Sequence, residues 1–93
     1  VREGVLITRA VRPQGSALVV NVACQEGGSL LAELTDPAGR IIEGFEKQNC
    51  IPFSGDAVEH TVRWKAGKPT PSGDYLRVRF FLRKAELFSF QFA

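Results

Sequence analysis

The chain has 93 residues, 44% of them apolar and 24% charged, the balance of one ordinary globular domain rather than a disordered, collagen-like or coiled-coil chain. Its net charge of +2 is too small to argue for nucleic acid by itself. No apolar run approaches the ~20 residues needed to span a bilayer, and no charged-then-apolar segment resembles a signal peptide.

In chain order, Gly4–Val11 reads as a first strand, and Arg12-Pro-Gln-Gly-Ser16 as a turn punctuated by Pro13 and Gly15. Ala17–Cys24 alternates, with Leu18, Val20, Val22 and Cys24 on one face, and predicts a second strand. Gln25-Glu-Gly-Gly28 predicts the next turn. Ser29–Thr35 predicts a third strand with Leu30, Ala32 and Leu34 inward and Glu33 and Thr35 outward. Asp36-Pro-Ala-Gly39 is the sharpest local signal. Asp suits the first position of a type I turn, Pro presets φ at the second, and Gly supplies a left-handed residue after it. Arg40–Glu43 is therefore expected to return as a fourth, antiparallel strand.

Gly44–Asp56 is expected to be an ordered loop pinned by Phe45 and Phe53. Ala57–Lys65 predicts a fifth strand, with Val58, His60, Val62 and Trp64 facing one way. After the turn Ala66–Gly73, Asp74–Arg83 predicts a sixth strand with Leu76, Val78, Phe80 and Leu82 inward. Lys84-Ala85 turns the chain, and Glu86–Phe92 predicts a seventh strand with Phe88, Phe90 and Phe92 on one face. No stretch repeats apolar residues at i, i+3, i+4 and i+7. Short alternating strands separated by regular turn signals predict an all-β fold: a two-sheet antiparallel jelly-roll sandwich of seven or eight strands, one domain over 1–93. A single sheet would leave one face of these strands wet.

Catalytic chemistry is not evident. His60 is the only histidine, and its strand phase makes it a packed side chain at the core edge rather than a metal ligand. Asp36 and Asp74 suit turns, Asp56 follows Gly55 in the loop, and Glu33, Glu59 and Glu86 sit on outward positions or strand starts without flanking motifs. No nucleophile elbow, phosphate loop or dinucleotide fingerprint is present. We expect no enzyme activity, cofactor or metal. Cys24 and Cys50 match no zinc or redox spacing. They are either small buried hydrophobes or a disulfide closing about 26 residues and adding about 3 kcal/mol.

The candidate interaction surface is the outward face of the sixth strand, with Tyr75, Arg77, Arg79, Phe81 and Arg83, joined by Arg63 and Lys65 if the fifth strand pairs with it. Arginine beside aromatics is typical of binding hot spots; it also suits sugar stacking or single-stranded nucleic acid. The alternative is a solvated face whose Arg stems cover the sheet. Trp64, the one tryptophan, has the phase of a core residue.

Several segments resemble the C-terminal β-sandwich of a group of bacterial proteins related to glycoside hydrolases. They are Leu18-Val-Val-Asn-Val22, Gly28-Ser-Leu-Leu-Ala-Glu-Leu-Thr-Asp36 with Gly39, Ile42-Glu-Gly-Phe45, Asn49-Cys50, Gly55-Asp56, Val62-Arg-Trp-Lys65, Arg77-Val-Arg-Phe80 and Ala85-Glu-Leu-Phe-Ser-Phe90. The resemblance implies a non-catalytic accessory module that stabilises or positions an upstream hydrolase-like domain of the same chain. It carries over no active-site residue. It leaves room for carbohydrate contact and leans towards a secreted or periplasmic location; from the residues themselves we expect no membrane partner and disfavour nucleic acid. The sequence holds no methionine and opens on Val1, which we read as a domain cut from a longer protein.

Overall fold

The structure, a computed structural model, describes residues 3–93, with only the backbone at Val58. The predicted core position Val58 therefore lies outside the described side chains. Strands β1 (Gly4–Ile7), β2 (Leu18–Thr35), β3 (Asp56–Val62) and β4 (Arg77–Phe92) form an antiparallel sheet in the order β1-β4-β2-β3. Among the described residues there is no α-helix, only a 3-10 turn at Lys47–Asn49.

The chain is mostly β and antiparallel, as expected. The number of strands differs: among the described residues there are four in one sheet, not seven or eight in two. Two of the predicted turns do not reverse the chain. β2 and β4 pair along their whole length, from Leu18 opposite Phe92 to Thr35 opposite Arg77. Between the pairs Cys24–Ala85 and Ser29–Arg83, the segment Gln25–Gly28 faces the single residue Lys84. An excess of residues on one strand bends a ladder and sharpens its twist without ending it. Gly27 (φ 76°) and Lys84 (φ 46°) both take left-handed backbone at this point. At Gly28 any Cβ would lie 2.5 Å from the Lys84 carbonyl oxygen and 2.7 Å from that of Arg83. The turn chemistry read in the sequence is present, but it makes a bend in a continuous strand.

The bend folds the sheet over. Straight, the 18 residues of β2 would span about 56 Å at roughly 3.3 Å each, yet the longest dimension of the molecule is 36 Å. Phe80 and Phe90 would stand ~33 Å apart on a straight strand, yet their ring centroids are 5.5 Å apart. Two halves of the sheet thus face each other. In one, β3 flanks Leu18–Ala23 of β2; in the other, β1 flanks the first half of β4, from Ile7 opposite Arg79 to Gly4 opposite Leu82. The core lies between them: Leu18, Val20 and Val22 from the β3 half, and Leu30, Ala32, Leu34, Val78 and Phe80 from the β1 half.

The segment after the third predicted strand closes one side. Asp36 forms the predicted turn, its Oδ1 accepting from the Ala38 and Arg40 N–H groups at 2.9 Å, with Gly39 left-handed. The expected fourth strand reduces to one bridge between Thr35 and Ile41. The chain then runs beside β2, where Leu34 N donates to the Phe45 carbonyl (3.1 Å) and Leu30 N to that of Phe53 (2.9 Å). As predicted, this loop is pinned by its aromatics: Phe45 meets Trp64 edge-on at 5.2 Å, and Phe53 stacks on His60 at 3.9 Å. Trp64 is buried, and its Nε1–H donates to the Ala32 carbonyl at 3.1 Å.

One predicted core residue is misplaced. Phe88 is 61% exposed. The register slips between Asn21–Ser89 and Val22–Leu87, so Phe88 falls in a bulge. The inward set becomes Leu87, Phe90 and Phe92, each packed against the core.

Candidate functional site

The basic and aromatic residues singled out in the sequence do not form one open face. β3 pairs with β2, and β2 separates it from β4. Arg63 and Lys65 therefore stand apart from Arg77, Arg79, Phe81 and Arg83. On the β1 half, cross-strand neighbours absorb most of the predicted surface. Arg79 reaches Glu33 at 3.4 Å, and Glu33 is buried despite its outward phase. Phe81 lies between Leu31 and Val5 in register and is 8% exposed. The ammonium of Lys47 sits 4.2 Å above its ring and also bonds Glu3 at 2.6 Å. Arg77 Nε donates to the Pro37 carbonyl at 3.1 Å. Arg83 is exposed beside the bend, and Tyr75 is exposed ahead of β4.

Cys50, His60 and Glu46 are held within the fold by packing and hydrogen bonds. Cys24 and Cys50 are unbonded, so of the two readings the packed thiol holds. Cys50 is buried and accepts from the Ala32 N–H at 3.4 Å. Burial pushes its thiol up, which keeps it protonated and unreactive. Burial, then the nearby Arg63, hold the His60 imidazole below its ordinary range. Glu46 is held low first by Asn49 Nδ2 (2.8 Å), and also by the Gly44 N–H (3.1 Å), and so braces the 3-10 turn. Among the described residues no three His, Cys, Asp or Glu side chains gather in a way that would hold a metal ion. Among them, too, no helix is long and apolar enough to cross a membrane.

Two features stand out that the sequence pattern did not single out. The first is β1, a sheet edge on which Val5, Leu6 and Ile7 are 54%, 42% and 54% exposed. Leu6 continues into a shallow cavity of about 350 Å³ shared with Leu87, Phe88 and Phe90. The sequence signal was the uncharged run Gly4-Val-Leu-Ile7 itself. The second is an open groove of about 420 Å³ where the chain leaves β3, walled by Arg63, Lys65 and Lys68 with Thr61 and Thr70.

No protein-family model, curated protein or solved structure matches the chain. The resemblance to the hydrolase-associated sandwich rests on its own segments alone.

Proposed function

We propose that the chain is a non-catalytic accessory domain that packs through β1 against a neighbouring domain of the same protein, the role implied by its resemblance to the terminal sandwich of glycoside-hydrolase-like proteins. In this reading the folded-over sheet is the working equivalent of a small two-layer sandwich. The observation that carries it is the apolar, exposed β1 edge, extended by Phe88. Sheet edges are normally blunted by lysine, proline or bulges because their free N–H and C=O groups recruit other strands. β1 carries none of these devices. An apolar edge of this kind marks a surface that is covered in use. Independent sugar binding has less behind it, because Trp64, the natural stacking platform, is committed to the core.

The test is to express the polypeptide encoded directly ahead of Val1 and measure its binding to this chain by calorimetry. Replacing Val5 and Ile7 together by Lys should weaken that binding at least tenfold while the isolated chain melts within a few degrees of the parent. Undiminished binding by the double variant, or tight binding of neutral glycans on an array, would refute the docking role.

A further inference from the structure

We propose that the groove at the end of β3 is a binding site for an oxyanion group: a carboxylate, sulfate or phosphate. Its walls bring together Arg63, Lys65 and Lys68, and none of the residues lining it is an aspartate or glutamate. Arg63 and Lys65 make no ion pair among the described residues. Lys68 is shared, since it reaches Gly44 and helps hold the Glu46 carboxylate low. Glu59 and His60 adjoin Arg63 on its other side, in a separate hollow. Cations converging on a concave surface raise the local potential and draw anions to it.

One wall of the groove is fixed by backbone bonding. Thr70 is only 5% exposed, and its Oγ1 has no hydrogen-bond partner among the described residues. Its N–H donates to the Ser16 carbonyl at 2.8 Å, which fixes the residue in the wall of the groove. Buried hydroxyls are almost always paired, and an unpaired one is costly. The Thr70 hydroxyl has almost no accessible surface, so it is closed off from an anion seated in the groove. The Arg63 guanidinium offers a fork for two of its oxygens, and the lysines supply point charge. The space suits a group carried on a small molecule as well as a free inorganic ion.

The experiment is an amide NMR titration of the intact chain with sodium sulfate, sodium phosphate and sodium glucuronate, each against sodium chloride at equal ionic strength. Saturable shifts confined to Ser16 and residues 61–70, with a millimolar Kd, are expected for at least one of the three. Arg63→Ala with Lys65→Ala should weaken that binding at least tenfold. Thr70→Val keeps the shape and deletes the hydroxyl. It should leave binding unchanged and the melting temperature unchanged or raised. Tighter glucuronate than sulfate assigns the group to an acidic sugar, and the reverse to a tetrahedral anion. Shifts that chloride reproduces, or that survive in the double variant, overturn the site.

Discussion

Phe80 and Phe88 lie on the same strand eight positions apart, and their side chains meet opposite fates. Phe80 is fully buried and packs on Phe90 across the fold of the sheet; Phe88 is mostly exposed. Replacing Phe80 by Ala deletes a ring from a closed core and is expected to cost about 3–5 kcal/mol. Phe88→Ser removes a solvated ring and should change stability by less than about 0.5 kcal/mol. Urea unfolding of both variants checks the contrast, and similar midpoints would place Phe88 in the core after all. His60 supplies a residue-level prediction in pH. Its imidazole is held low in the fold by burial and by Arg63. The unfolded chain takes up a proton near pH 6.5, whereas the folded chain takes it up only at lower pH. The stabilisation is therefore complete above about pH 6.5 and is lost as pH falls towards the folded pKa. Urea midpoints should fall between pH 7.5 and 5.5, and His60→Gln should flatten that slope. Glu46, also held low, loses its contribution only in the more acid carboxylate range.

At the scale of elements, the alternation of β2 and β4 was legible in the sequence, and so were the Asp36–Gly39 turn and the pinned loop. Leu30, Ala32, Leu34, Val78 and Phe80 face inward as their phase predicts. What the sequence hid was the difference between a hairpin and a bend. Both call for glycine and left-handed backbone, and Gln25–Gly28 opposite Lys84 uses that chemistry to fold a ladder that never breaks. Phe88 was misread because the bend shifts the inward phase to Leu87 and the bulge at Phe88 shifts it back for Phe90 and Phe92, and no residue type announces either slip. The candidate surface failed for a topological reason. β3 and β4 are neighbours in sequence, but β2 comes between them in the sheet, and the lysine that caps Phe81 arrives from Lys47 in a distant loop. Arg63 and Lys65 were legible as cations; their company with Lys68 and Thr70 was not. Gly28 tests the bend. Its Cβ position is closed by backbone carbonyls, which cannot swing aside as a side chain would. Gly28→Ala should destabilise by about 1–3 kcal/mol. Glu26→Ala, at an exposed position in the same bulge, should be nearly neutral in the same thermal melt.

For the whole molecule, one fold of one sheet positions everything else. It closes the core between the two halves, exposes the outer edge of β1, and sets the Arg63–Thr70 groove on the half opposite β1. A module built this way presents an apolar edge, proposed above to meet a protein neighbour, and, separately, a basic hollow, proposed to take an anion. Both depend on β2 being a single bent strand rather than two strands of a hairpin. The most direct test is a NOESY spectrum of the isolated chain. Contacts between the Phe80 and Phe90 rings are expected, together with cross-strand contacts pairing Val20 with Phe90 and Ala32 with Phe80. Cross-strand contacts pairing residues 18–24 directly with residues 29–35, the mark of a hairpin closed at Gln25–Gly28, would contradict it.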